Sequence, residues 1–342
     1  MVLRLAAFLV PHVSVSSQKR RGQNSSACSR RRVPISDGNH IWTLSVNEPQ
    51  NRVGSRVPLV LLHGFGSGVG LWVKNLAALA LGDRTVYALD LLGFGQSSRP
   101  TGGGHAQEEE ERFVQSLEEW RMTVGAELMI LLGHDLGGFV SMAYALKHPH
   151  RVKKLILVEP WGFSERPEGQ ELHCRIPLWV KVLGKAMNPF NPLSLLRLAG
   201  PLGPLLLQTL RSDFKQKYLD VFEDDTVPDY LYHLNAQTPS GEIAFKRMTV
   251  PYGWAQRPML QRVQMLNPTI PISIICGSRS CIDGQSGHTL LELRPNLHTD
   301  VIVIGGAGHY VFADQSEDFN QVVLKICGDV NDEETGVKED KE

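Results

Sequence analysis

Three features of the sequence predict an α/β fold, with a mostly parallel central sheet covered by helices and a helical lid inserted into it. Short, continuous apolar runs alternate with helix-length segments. One interval between two such runs is about a hundred residues long, too long for a structureless loop in a compact domain. A Gly-x-Asp-x-Gly turn stands between an apolar run and a helical segment.

The apolar runs are Pro58–Leu62, Thr85–Leu89, Leu128–Leu132, Leu155–Val158, Ile272–Cys276 and Val301–Ile304. They are continuous rather than alternating, as expected of parallel strands buried on both faces. Helical spacing fills Glu109–Val124, Leu136–Lys147 and Phe319–Cys327. The long interval, from Trp161 to roughly Met259, is expected to form a lid over the carboxyl ends of the strands, where open α/β sheets bind ligands. The expected organisation is a core of residues 39–160 and 259–328, a lid of 161–258, a basic disordered arm of 1–38 and a solvated acidic tail of 329–342.

The chain has 342 residues, with 35 Lys and Arg against 36 Asp and Glu. This near-neutral balance gives no electrostatic footprint for a nucleic-acid partner. Five scattered cysteines (Cys28, Cys174, Cys276, Cys281, Cys327) read as ordinary thiols of a reducing compartment, and none has metal-ligand spacing, so no bound metal or cofactor is expected. No apolar run reaches the length of a membrane span. The first 36 residues hold Arg4, Lys19, Arg20, Arg21, Arg30, Arg31 and Arg32 with no acidic residue. A disordered arm, a membrane-surface arm and a mitochondrial transit peptide all share that composition.

The turn is Gly133-His134-Asp135-Leu136-Gly137-Gly138, a nucleophile elbow with Asp135 at its centre where an esterase carries serine. A carboxylate there can attack carbon and form an ester that water cleaves. It cannot replace serine in ordinary ester hydrolysis, where its attack would give a mixed anhydride. His63-Gly64-Phe65-Gly66 follows the first apolar run; the backbone N–H groups of Phe65 and Leu136 are placed to form an oxyanion hole. His309 follows the last run on the glycine-rich turn Gly305-Gly306-Ala307-Gly308, as a general base would, and Asp283 follows the fifth run, as the acid orienting it would. The order elbow, acid, histidine is that of the α/β-hydrolase fold. His309 and Asp314 also form an H-x4-D spacing, used by some glycerolipid acyltransferases; Asp314 could equally cap a helix beginning near Gln315.

The chain resembles the abhydrolase-domain-containing four/five subfamily of α/β-hydrolase-fold proteins over roughly Asn39 to Val330, lid included. The stretches that carry the likeness are Asp90-Leu91-Leu92-Gly93-Phe94-Gly95, Glu159-Pro160-Trp161-Gly162-Phe163, Phe222-Glu223-Asp224-Asp225-Thr226, Asn235-Ala236-Gln237-Thr238-Pro239-Ser240-Gly241-Glu242 and Gly308-His309-Tyr310-Val311-Phe312-Ala313-Asp314. Pro251-Tyr252-Gly253-Trp254-Ala255 and Ser280-Cys281-Ile282-Asp283-Gly284 are closer to the lipase-coactivating branch than to the N-acyl phospholipid hydrolase branch. The resemblance implies a protein without a serine nucleophile, in the cytosol and on lipid droplets, that binds a droplet coat protein of the perilipin type and switches on a triacylglycerol lipase. It also implies lysophosphatidate acyl transfer through His309 and Asp314, with acyl-CoA as co-substrate, and assigns lipase activation to Arg279 and Gly308. The sequence departs from the family in two places: Asp135 stands where the family has asparagine, and a tryptophan-free basic arm replaces its tryptophan-rich N-terminal anchor. The elbow also resembles that of epoxide hydrolases and dehalogenases, with Asp135 as nucleophile and Tyr230, Tyr232 and Tyr252 available in the lid.

Overall fold

The computed structural model describes residues 28–48, 56–82, 84–166, 191, 193–280, 284–295 and 298–339. Eight strands form one sheet in the order β1 (Cys28–Pro34), β2 (His40–Val46), β4 (Val86–Leu89), β3 (Leu59–Leu62), β5 (Met129–His134), β6 (Val152–Val158), β9 (Ile272–Gly277) and β10 (Thr299–Ile304). From β4 to β10 all neighbours are parallel, whereas β1 and β2 pair antiparallel to each other and β2 pairs antiparallel to β4. The short strands β3, β4 and β5 are buried throughout, which accounts for their unbroken apolar sequence.

Helices cover both faces. The amphipathic helix Ala106–Val124 buries Phe113, Leu117 and Trp120 on one side of the sheet, with the Trp120 indole N–H donating to Thr43 Oγ1 at 3.0 Å. It stops at Gly125, whose φ of +68° closes the helix in the left-handed region. The other face is filled by Trp72, whose ring lies tilted against Phe312 with centres 4.1 Å apart and near Phe319 of the C-terminal helix Ser316–Glu339.

One expectation about the termini needs correction. Residues 28–34 are not part of a disordered arm but the edge strand β1, in full register with β2 from Cys28↔Val46 to Pro34↔His40. An edge strand needs only its backbone paired, and only Val33 of β1 is buried, so its arginines face outward and hide the strand from a hydropathy reading. Residues 1–27 lie outside the described residues. At the other end the last helix runs through the acidic segment as far as Glu339.

The long insertion between β6 and β9 is helical where described: Ser194–Leu198, Gly203–Leu210, Asp213–Lys217, Thr226–Asn235 and Ser240–Met248, followed by the hairpin β7 (Thr249–Val250) and β8 (Trp254–Ala255). Polar clamps fasten it to the core. Gly70 N–H donates to the Tyr230 hydroxyl at 2.9 Å, and Asn235 Nδ2 donates to the Gly66 carbonyl at 2.7 Å. The Arg99 guanidinium bridges the carbonyls of Gly93 and Gly95 to those of Thr238 and Leu234. Among the described residues no helix is long and apolar enough to cross a membrane.

Trp72 is fully buried in a cluster with the rings of Phe312 and Phe319. Trp72→Ala is expected to cost about 3–5 kcal/mol of stability through lost burial and an unfilled cavity, read as a lower urea midpoint with an unchanged slope.

Candidate functional site

The elbow joins β5 to the helix Leu136–Lys147, and Asp135 sits at its tip with φ +51° and ψ −115°. A non-glycine residue in that region carries strain of about 1–3 kcal/mol, held here by the packing around it. The glycines on either side are required by space. A Cβ on Gly133 would lie 2.2 Å from the Gly137 carbonyl oxygen, and one on Gly137 would lie 2.4 Å from the Leu62 carbonyl oxygen.

The Asp135 carboxylate turns into the place of the oxyanion hole. Phe65 N–H donates to Asp135 Oδ2 at 2.8 Å, and the Leu136 backbone N–H also favours its anion. The two donors expected to hold a reacting oxyanion therefore hold the elbow's own side chain. Burial nevertheless pushes the Asp135 carboxyl above its ordinary value, opposed by His309 and then by the two N–H groups. The loop carrying Phe65 is fixed by His63, which is buried. Leu91 N–H donates to its Nε2 at 3.0 Å, so its proton is on Nδ1, 2.7 Å from the Gly64 carbonyl oxygen. Burial holds His63 below its ordinary value, so this imidazole is a neutral structural strut.

His309 arrives from the turn after β10. Its ring centre is 4.6 Å from that of His134, whose Nε2 lies 3.1 Å from the His309 carbonyl oxygen. Burial, and then His309, push His134 well below its ordinary value, so it lies neutral against His309. The Tyr310 ring packs against both imidazoles, and its hydroxyl sits among Arg211, Ser67 and Asp135. Arg211 comes from the lid. Its guanidinium lies over Phe214 at 4.3 Å and forms two hydrogen bonds to Asp213, at 2.9 and 3.0 Å.

The carboxylates expected to serve His309 fare differently. Asp283 lies outside the described residues. Asp314 is not brought to His309: one oxygen accepts the Gly308 N–H at 2.8 Å and the other pairs with Lys217 of the lid. Nor does it cap the following helix, because its side chain turns back onto the histidine turn. The carboxylate that does approach is Glu159, at the end of β6, with Oε2 3.8 Å from His309 Nδ1. Glu159 received no role from the sequence. A lone acid directly after a buried apolar run, at the carboxyl end of a strand, was the available signal.

Arg279 and Gly308 are brought onto adjoining turns. Arg279 N–H donates to the Ala307 carbonyl at 2.9 Å and its exposed guanidinium caps the Gly306 carbonyl. The lid tyrosines do not converge on Asp135. The Tyr230 hydroxyl accepts from Gly70, the Tyr232 hydroxyl donates to the Gly200 carbonyl at 2.6 Å, and the Tyr252 side chain lies outside the described residues. Among the described residues no group of three or more His, Cys, Asp or Glu side chains could hold a metal ion.

Residues 57–316 match the model of the alpha/beta hydrolase fold family. The chain is 56% identical over 306 residues to the 1-acylglycerol-3-phosphate O-acyltransferase ABHD5 of Homo sapiens, covering 89% of this chain and 86% of that one. It is 48% identical over 301 residues to the (lyso)-N-acylphosphatidylethanolamine lipase of Homo sapiens, covering 88% and 87%. Among solved structures, a bacterial membrane phospholipase A described as a virulence factor superposes with a TM-score of 0.66 at 19% identity, over 96% of this chain and 91% of that one, a likeness of fold alone.

An acid whose folded value is raised binds more protons folded than unfolded, so its burial is penalised above the ordinary carboxyl value and the penalty vanishes below it. Asp135→Asn keeps the shape and the acceptor for the Phe65 N–H but removes the charge. The variant is expected to unfold at a higher temperature than the parent at neutral pH, the gap closing as pH falls toward about 3.9; calorimetry across that range checks it.

Proposed function

The chain belongs to the α/β hydrolase fold family, and from that premise we propose that it is a lipid-metabolism protein that acts mainly by binding. In this reading it is a coactivator of a triacylglycerol lipase, working in the cytosol and on the surface of lipid droplets and docking a perilipin-type coat protein. Acyl-CoA-dependent transfer to lysophosphatidate is an attached activity, with His309 as base. The observation that carries the reading is the Asp135 carboxylate on the Phe65 N–H. An acyl-transfer intermediate at the elbow needs that donor for its own oxyanion, and a carboxylate is a poor acyl-accepting nucleophile. The likeness to ABHD5, named as an acyltransferase, supports the transfer activity. The exposed Arg279 beside the Gly306–Gly308 turn supports partner recognition, since a guanidinium suits a partner carboxylate.

The lid supports the droplet surface as a site of action. Leu195, Leu198, Leu202, Leu205 and Leu210 are 53%, 77%, 68%, 61% and 68% exposed. Residues 193–212 contain no acidic side chain. An exposed leucine-rich face of this kind stabilises binding to a lipid surface as its apolar area leaves water.

A second reading, an epoxide-hydrolase-like or dehalogenase-like enzyme, is favoured by the same hydrogen bond, because holding one carboxylate oxygen leaves the other to attack carbon. Against it stand the engagement of Tyr230 and Tyr232 elsewhere and the burial that favours a protonated Asp135.

Fatty-acid release from a triolein emulsion separates the readings. Protein and triacylglycerol lipase together are expected to exceed the sum of their separate rates several-fold, and Asp135→Asn to leave that stimulation intact; a mixture that only equals the sum overturns the coactivator reading. Loss of epoxide or haloalkane turnover in Asp135→Asn would instead establish the second. The triple variant Leu198→Ser, Leu202→Ser, Leu205→Ser is expected to bind triolein droplets at least about tenfold more weakly while remaining folded, from the lost apolar burial. Flotation with droplets measures it.

A further inference from the structure

We propose that Glu159, at the carboxyl end of β6, positions His309 for proton transfer, in the role the sequence assigns to Asp283. The inference rests on the reading of His309 as the base for acyl transfer.

Glu159 is 1% exposed, and a carboxylate is almost never buried so fully without partners. Two are present: Gly277 N–H donates to Oε1 at 2.7 Å, and the Ser280 hydroxyl donates to Oε2 at 2.5 Å. These hold the carboxylate in one orientation, and the oxygen that accepts from Ser280 is the one 3.8 Å from His309 Nδ1. The imidazole is the complementary half. Its Nδ1 is buried and has no hydrogen-bond partner among the described residues. A separation of 3.8 Å is an ion-pair distance longer than a hydrogen bond, and catalytic hydrogen bonds commonly tighten only when substrate is bound. The backbone of Glu159 adds a second observation. Its φ is +45°, in the left-handed region, where a non-glycine residue costs about 1–3 kcal/mol. Its N–H donates to the Ile275 carbonyl at 3.0 Å, so the strained turn is tied to β9 as well.

The other described carboxylates near the histidine are committed elsewhere, Asp135 to Phe65 and Asp314 to Gly308 and Lys217. A carboxylate facing Nδ1 keeps the proton there and leaves Nε2 as the acceptor. In the transfer, Nε2 takes the proton of the acceptor hydroxyl as its oxygen bonds to the acyl carbon of the thioester. The carbon–sulfur bond then breaks, and the leaving thiolate receives that proton. Glu159 steadies the transient imidazolium without itself being protonated.

The test is the imidazole nitrogen spectrum of ¹⁵N-histidine-labelled protein, recorded well above neutral pH, together with acyl transfer from oleoyl-CoA to lysophosphatidate. The parent is expected to carry the His309 proton on Nδ1. In Glu159→Gln the amide oxygen stays with Gly277 and the amide N–H groups face Nδ1, so the proton is expected to move to Nε2. The turnover number should then fall at least about 100-fold, with KM for lysophosphatidate little changed. Asp283→Asn is expected to leave the spectrum as in the parent. A parent spectrum with the proton on Nε2 overturns the proposal without any variant, as does a tautomer change in Asp283→Asn but not in Glu159→Gln. The spectrum also separates the two claims: if the parent shows no acyl transfer, the reading of His309 as base fails while the positioning by Glu159 is still decided by the tautomer.

Discussion

The hydrogen bond from the Phe65 N–H to the Asp135 carboxylate is the constraint on which the rest of the site depends. A buried carboxylate needs donors, and the elbow offers them where a hydrolase of this fold would hold developing negative charge. Once the side chain occupies that position, the loop after β3 and the tip of the elbow are one unit. Gly64 sits so close to both that a Cβ there would lie 2.8 Å from Asp135 Cβ and from His134 Nδ1. The same bond makes the site poorly suited to acyl-enzyme chemistry while leaving His309 at its mouth.

Around that unit the lid and the histidine turn are joined by charge. Lys217 pairs with Asp314, Asp314 accepts the Gly308 N–H, and Arg211 spans from Asp213 to the ring of Tyr310. Asp314 thus belongs to the connection between lid and turn, although its spacing from His309 matches an acyltransferase pair. The buried Glu242 plays the matching role inside the lid, accepting from Leu193 N–H at 2.6 Å and Arg197 at 2.5 Å. Partly buried pairs of this kind define one relative placement of segments more than they add stability.

The features legible in the sequence were local ones. The helix Leu136–Lys147 was read to its exact ends because a glycine turn precedes it and its apolar residues are continuous. β3, β4 and β5 were found because burial on both faces leaves them largely apolar, and β6, β9 and β10 because a mostly apolar run remains in each despite Lys153, Lys154, Ser273, Thr299 and Asp300. β2 was missed because polar residues interrupt its apolar ones, and β1 because its arginines point outward. The contacts of Asp314 were not legible: a spacing of two residue types along the chain does not specify which way a carboxylate turns at the end of the short helix Val311–Asp314.

By itself the sequence determined the fold class, the aspartate at the elbow, the histidine on the last turn and the insertion that becomes the lid. Each follows from chemistry within a few residues: period, turn-forming glycines, the ends of apolar runs. Only the tertiary structure decided which carboxylate meets His309, that the Asp135 side chain fills the donors at Phe65 and Leu136, and which lid tyrosines are spent on backbone contacts. Those are meetings between segments far apart in the chain, Glu159 and His309 among them. Burial selects such partners through packing and hydrogen-bond satisfaction, neither of which leaves a periodic trace in the sequence.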